Sequence, residues 1–248
     1  PATWAFAQAR LTEQWSPEQI SGFLKVKDLP GVSHETLYQR IYADKRAGGI
    51  LWRHLRCQKL RRKRYGRHDR RGTIPGRVSI ESRPAAVEAR TRVGHWEGDT
   101  IIGARHRQAI VSLVERKSRY TLLTKVERKT AHLVGQAVTG LLKPFKARVH
   151  SLTTDNGKEF ADHQTVSRKL DAAFYFAHPY ASWERGTNEN TNGLVRQYFP
   201  KKRHFDTIRP EEVRLAMERL NHRPRKCLGF RTPHEVFMQS LRRVALQG

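Results

Sequence analysis

From about residue 93 the chain alternates apolar runs with polar breaks, and the order of those runs limits the sheet that can form. Three runs come first: Asp99 to Gly103, Ala109 to Glu115 and Tyr120 to Val126. Only short basic turns separate them, Arg105-His106-Arg107 and Lys117-Ser118-Arg119, so an antiparallel meander is expected. Thr130 then stands as an N-cap before Leu133, Val134, Ala137, Val138, Leu141 and Leu142, which line one side of a helix. A fourth strand, Val149 to Thr154, follows; the helix before it supplies the crossover that parallel pairing with the first strand requires. A helix from about Lys158 to Leu170 and a strand from Ala173 to Ala177, stopped by His178-Pro179-Tyr180, extend the pattern. Further helices are expected around Glu189, from Pro210 and from Thr232-Pro233. The fold class is α/β.

Three acidic residues punctuate this pattern. Asp99 sits at the mouth of the first apolar run, in Gly94-His95-Trp96-Glu97-Gly98-Asp99-Thr100. Asp155 ends the fourth strand and is followed by the turn Asn156-Gly157. Residues 156–188, 33 in all, separate it from Glu189. If the first and fourth strands pair in parallel, Asp99 and Asp155 become neighbours, and Glu189 must reach them from a helix whose start points at the strand ends. On that helix Glu189, Asn192, Gly193 and Arg196 share one face, while Leu194, Val195 and Tyr198 lie opposite, to pack on the sheet. Hydrolysing or transferring a phosphodiester needs an activated oxygen nucleophile and neutralisation of charge on the leaving oxygen. Two Mg²⁺ ions about 3.5–4 Å apart provide both, and hard oxygen ligands hold them. Each residue also has an ordinary reading: a common Asp-Asn-Gly turn, a solvated helix Glu, a surface Asp on an edge strand. Glu97, two residues from Asp99 on the same strand face, either reaches the site or forms an ion pair. Glu159 and Glu184 read as positional or structural.

Charge narrows the partner. The chain carries 48 Lys and Arg against 23 Asp and Glu, a formal net charge of +25, with an isoelectric point near 10.9. A polyanion is the natural counterpart, because neutralising phosphates releases condensed counterions. A membrane surface is the rival, but no apolar stretch approaches the ~20 residues of a spanning helix. No signal peptide is visible, and the first residue is Pro1. Cys57 and Cys227 do not pair with histidines at zinc-finger spacing and read as reduced, partly buried thiols of a cytosolic protein.

Residues 1–46 are expected to form a helix-turn-helix domain. Ser16-Pro17-Glu18-Gln19 is a capping box with Pro at the first helical position, and Ser33 caps a helix running from His34 to Tyr42. Trp4, Ala5, Ala9, Leu11 and Trp15 offer a supporting first helix. The final helix of such a module enters the major groove, with His34, Glu35, Thr36, Gln39 and Arg40 near its start. A small bundle that only packs on the rest of the chain is the plainer reading. Residues 47–92 read as an arginine-rich linker, disordered alone and laid along a phosphate backbone when bound. It holds Arg61-Arg62-Lys63-Arg64, Arg67, Arg70-Arg71 and Arg77, interrupted by Pro75 and Pro84. Residues 93–248 form the remaining domain.

With these motifs in place the chain resembles the insertion sequence 30 family of bacterial transposases, within the DDE group that includes retroviral integrases. The resemblance rests on Gly94 to Asp99, Thr154 to Phe160, His178 to Asn190, Trp15 to Ile20 and Asn221 to Arg225, and spans nearly the whole chain. It implies a ribonuclease H-like core with a mixed five-stranded sheet, catalytic and metal-binding roles for Asp99, Asp155 and Glu189, and two Mg²⁺ (or Mn²⁺) ions per site. It further implies cleavage at the ends of a mobile element to expose 3′-hydroxyls, transfer of those strands to target double-stranded DNA, and a homo-oligomer that holds two ends together. A cytoplasmic, nucleoid-associated location and no membrane partner go with it. Lys158, Arg185 and Arg196 read as contacts to scissile-strand phosphates or as plain solvated cations. Family members usually carry a further helix-turn-helix ahead of the one here, so a shortened N-terminus is expected. Two rivals stand beside this reading. A catalytically silent truncated copy acting only as a sequence-specific DNA-binding protein would keep the basic modules without the chemistry. A ribonuclease H-like nuclease would share the metals but need no DNA-reading module.

Overall fold

The computed structural model describes residues 2–55, 74–104, 107–178 and 182–245. These form two compact units, one from residues 2–55 with 222–236, the other from the described residues between 74 and 221 with those from 237 onward.

The first unit has three helices, α1 (Ala2–Thr12), α2 (Pro17–Val26) and α3 (His34–Arg46). The capping box forms as expected: Ser16 Oγ accepts from Gln19 N at 3.3 Å and Gln19 Oε1 accepts from Ser16 N at 3.0 Å. Ser33 caps α3 by accepting from Thr36 N at 3.1 Å. Ala7, Leu11, Trp15, Ile20, Leu24, Leu37 and Ile41 make the core. Residues 222–236 belong here and not, as the sequence suggested, with the rest of the C-terminal domain. They are tied to α2, where Gln19 Nε2 donates to Pro224 O and Lys226 pairs with Glu18 at 2.7 Å. Gly22 lets the Phe230 ring approach closely here, since a Cβ would force that ring to move. Cys227 is exposed rather than partly buried, and Cys57 lies outside the described residues.

The second unit is a mixed five-stranded sheet with helices on both faces, a ribonuclease H-like arrangement. Its strands are β1 (His95–Ile102), β2 (Ala109–Glu115), β3 (Thr121–Val126), β4 (Ser151–Thr154) and β5 (Ala173–Phe176), in the order β3-β2-β1-β4-β5. β1, β2 and β3 pair antiparallel, whereas β4 pairs in parallel with β1 and β5. The crossover to β4 runs through α4 (Ala131–Leu142), which Thr130 caps. One face packs on α4 and on α5 (His163–Leu170) through Val134, Val138, Leu142, Val166 and Leu170. The other packs on α6 (Gly186–Tyr198) and α7 (Pro210–Asn221) through Leu194, Val195, Val213, Ala216 and Leu220. β2 is buried along its whole length. α8 (Pro233–Ala245) places Phe237 flat on Tyr120, centroids 4.4 Å apart. Among the described residues no helix is long and apolar enough to cross a membrane.

The structure departs from the sequence reading at three places. β1 begins at His95 rather than Asp99, because Glu97, fully buried, is neutralised inside the strand by Arg116. Gly94, at φ +112°, admits the chain where a Cβ would collide with Arg148 O. Residues 74–92 are no linker: Ile74 and Val87 are buried, and Arg83 donates to Thr153 Oγ1 at 3.1 Å. β5 is an edge strand, and Val78 satisfies part of that edge by accepting from Phe176 N at 2.9 Å. The expected helix from Lys158 instead makes a 3-10 turn, Lys158–Phe160, before α5 begins.

His95 carries a pH signature. Burial, then His150, Arg92, Arg116 and Arg83, lower its pKa from 6.5 to about 4. The unfolded chain therefore binds the proton more readily, so this residue costs stability as pH falls from about 6.5 towards 4. Urea midpoints measured across that range should fall more steeply for the native chain than for His95→Gln. Parallel pH profiles would contradict this.

Candidate active site

The β1–β4 register sets the site. His95 pairs with Ser151, Trp96 with Leu152 and Glu97 with Thr153. Carried two residues further, the same register puts Asp99 opposite Asp155, where β4 has ended and β1 still runs beside β2. Asp99 therefore lies within its strand, opposite Ser112, rather than at the strand's mouth. Asp155 turns the chain by accepting from Gly157 N through Oδ1 at 3.0 Å.

Both carboxylates face one guanidinium. Arg185 Nη1 lies 3.5 Å from Asp99 Oδ2 and Arg185 Nη2 lies 3.7 Å from Asp155 Oδ2. Nη1 also donates to Gly98 O at 3.3 Å. Asp99 is fixed from two further sides: Oδ1 accepts from Thr100 N at 2.7 Å and Oδ2 accepts from Asn192 Nδ2 at 2.8 Å. Burial pushes the Asp99 carboxyl up to about 6; Arg185 opposes this, whereas Asp155 and Glu159 add to it.

The helix that supplies Asn192 is itself pinned to the sheet. Asn192 Oδ1 accepts from Ser112 Oγ at 2.9 Å. One turn earlier, Asn188 donates from Nδ2 to Glu97 O at 3.1 Å and from its backbone to Glu97 Oε2 at 2.8 Å. Glu97 thus takes the second of its two sequence readings, an ion pair with Arg116 at 2.8 Å. Glu159 accepts from Thr100 Oγ1 at 2.8 Å and pairs with Lys129 at 2.6 Å. Glu184 receives the backbone N–H of His178 at 2.8 Å. Asn188 and Arg116 were missed from sequence; the available signal was the pair Asn188 and Asn192, four residues apart on a helix that packs on a sheet.

Glu189 stands apart. It is exposed in the first turn of α6, one turn before Asn192. Among the described residues no group of three or more His, Cys, Asp or Glu side chains is placed to hold a metal ion. The structure brings together Asp99 and Asp155 with Arg185, without Glu189. The donor chemistry of the pair suits a divalent cation: two hard carboxylates bracket a positive charge.

The candidate DNA contacts divide three ways. His34, Thr36, Gln39 and Arg40 are exposed on α3, with Leu37 and Ile41 turned into the core; the Arg40 guanidinium stacks 4.7 Å from the Trp4 ring centre. Lys158 is exposed three residues beyond Asp155. Arg196 is half-buried, its Nη1 donating to Ile102 O at 2.9 Å and Phe199 O at 3.4 Å, so it braces α6 against β1. Arg61, Arg62, Lys63 and Arg64 lie outside the described residues.

Comparison with known proteins places this geometry. The Integrase core domain family matches residues 90–182, a span that holds Asp99 and Asp155 and ends before Glu189. The chain is 45% identical over 230 residues to the transposase for insertion sequence element IS4351 of Bacteroides fragilis, which covers 92% of this chain and 71% of that protein. It is 40% identical over 242 residues to transposase InsI for insertion sequence element IS30A of Escherichia coli strain K12, covering 92% and 62% respectively. The catalytic core domain of BIV integrase is similar with a TM-score of 0.48 and 21% identity, over 61% of this chain and 98% of that one.

Glu97→Ala tests the anchor beneath the site. Among the described residues it leaves Arg116, almost wholly buried, with the exposed Glu88 as its one carboxylate partner, and it removes the acceptor for Asn188 N. Breaking a buried pair from one side should cost about 3–5 kcal/mol in equilibrium urea unfolding. A loss below about 1 kcal/mol, the range of an exposed pair, would show that Glu97 holds nothing in place.

Proposed function

This chain belongs to the insertion sequence 30 family of transposases, of the DDE type, and we propose that it cleaves DNA at the ends of its element to expose 3′-hydroxyls and then joins those strands to target DNA. The observation that carries the proposal is the juxtaposition of Asp99 and Asp155 by parallel pairing, with both carboxylates turned to one cation. Asp99 and Asp155 would hold divalent ions, Mg²⁺ or Mn²⁺ and two per site, and Glu189 would complete the shell of one of them. Such ions activate the attacking oxygen and neutralise the leaving one. The protein's own part is to aim the ligands. Asn192, held by Ser112, keeps Asp99 Oδ2 in a fixed direction. Neither chemical step needs a covalent enzyme intermediate, so no Ser or Tyr nucleophile is required.

The remaining side chains then divide the work on double-stranded DNA. On α3, His34, Thr36, Gln39 and Arg40 would reach the groove, and Trp4 would steady Arg40 through its ring face. The basic run Arg61, Arg62, Lys63 and Arg64 would follow phosphates, with Lys158 and Arg185 near the scissile strand. Arg196, its guanidinium committed to two carbonyls, would contribute mainly by holding α6. A homo-oligomer would hold two element ends together, with the work done in the cytoplasm at the nucleoid.

Cleavage of a labelled duplex carrying the element's own end, with Mg²⁺ or Mn²⁺, tests the proposal. The native chain should nick to leave a 3′-hydroxyl. Asp155→Asn and Glu189→Gln should keep DNA affinity and lose nicking by more than about 100-fold, the upper range for residues one step removed from a metal. Nicking that survives in Glu189→Gln would remove Glu189 from the site. Binding without nicking by the native chain would leave a DNA-binding protein and no enzyme.

A further inference from the structure

Arg185 is placed unlike Arg116, another buried arginine of this unit that meets a carboxylate. Arg116 meets Glu97 at 2.8 Å, the length of a strong charge-assisted hydrogen bond. Arg185 stands 3.5 and 3.7 Å from its two carboxylates, and its one hydrogen bond, to Gly98 O, is long at 3.3 Å. Its Nε, like that of Arg116, is buried with no hydrogen-bond partner among the described residues, so it is the loose contacts of the two Nη atoms that set Arg185 apart. The side chain is nevertheless 11% exposed, enclosed rather than solvated. A guanidinium with five donors, so enclosed and so poorly bonded, is held by charge more than by geometry. It also lies between two carboxylates that would otherwise repel each other. It is the residue immediately before α6, and Glu189 is in that helix's first turn.

We infer that Arg185 is the resident counter-ion of the Asp99–Asp155 pair and competes with divalent cations for it, so that the site loads as Arg185 withdraws. Withdrawal at the start of α6 would move the segment that carries Glu189, linking the loss of the guanidinium to the arrival of the third carboxylate. The displaced guanidinium would then be free for a phosphate. This rests on reading Asp99 and Asp155 as metal ligands. Its consequence is quantitative: a 2+ ion and a 1+ group about 4 Å apart repel enough, even at the dielectric of water, to change affinity by roughly tenfold or more.

Titration of the full chain with Mn²⁺, without DNA, followed by the electron paramagnetic resonance of free Mn²⁺, reads this directly. Arg185→Gln should bind Mn²⁺ at least about tenfold more tightly than the native chain, whereas Arg185→Lys, which keeps the charge, should stay within about threefold. A role confined to supporting the fold would make both variants bind alike. Equal or weaker binding by Arg185→Gln overturns the inference. If Asp155→Asn still abolishes Mn²⁺ binding in that case, the metal-ligand reading stands and only the role of Arg185 falls. If no protein in the set binds Mn²⁺ at this site, both fall. A second measurement on the native chain is independent of whether the Gln variant folds: the Arg185 Nε–Hε resonance, assigned with Arg185→Lys, should shift as Mg²⁺ is added. A resonance that stays fixed while Mg²⁺ binds would overturn the inference.

Discussion

Everything at the site depends on the three residue pairs by which β1 and β4 run in parallel. Two strands joined through a helix can pair in any register that buries their faces, and a slip by one would turn every side chain of β4 to the opposite face. Here the register is held at its entry, where Gly94 lets the backbone pass Arg148 and accepts from His150 N at 2.8 Å. Asp99 and Asp155 then fall at equivalent heights without any direct bond between them. Asp99 sits where the partner on one side has ended, which gives it both a rigid backbone and an open flank.

The second constraint is that α6 must arrive on the correct turn. Leu194 and Val195 supply the burial that brings the helix to the sheet, but apolar contacts alone would tolerate rotation. Asn188 and Asn192 remove that freedom by bonding to Glu97 and Ser112 on adjacent strands. The buried Glu97–Arg116 pair is thus more than a charge hidden in a core. It supplies the acceptor that sets the helix, and the helix in turn supplies the donor that orients Asp99.

Much of this was legible in the sequence, for reasons that can be named. The meander, the capped crossover helix and the approach of Asp99 to Asp155 follow from turn lengths and periodicity, which are local signals. The capping box at Ser16 and the Ser33 cap were equally plain, since a cap is contained within four residues. What was hidden is what depends on distant partners. Glu97 disguised the first half of β1, because a buried carboxylate looks like a surface residue until Arg116 is found. Residues 74–92 look like basic linker until an edge strand offers them a hydrogen-bonding partner. Residues 222–236 were assigned with their neighbours in sequence, whereas Gly22 and Gln19 bind them to the other end of the chain. The approach of the first two carboxylates was legible, but Arg185, which read from sequence as a phosphate contact or a solvated cation, is the group the structure places between them.

The most direct measurement is a crystal soaked in Mn²⁺ and recorded for manganese anomalous scattering. If Asp99 and Asp155 are the metal ligands of this transposase, the peak falls within about 2.0–2.2 Å of an oxygen of each, the distance expected for a hard divalent ion of this size. Arg185 is then displaced from between them. Manganese bound elsewhere, with both carboxylates still turned to the Arg185 guanidinium, would contradict the assignment of this pair as the metal centre.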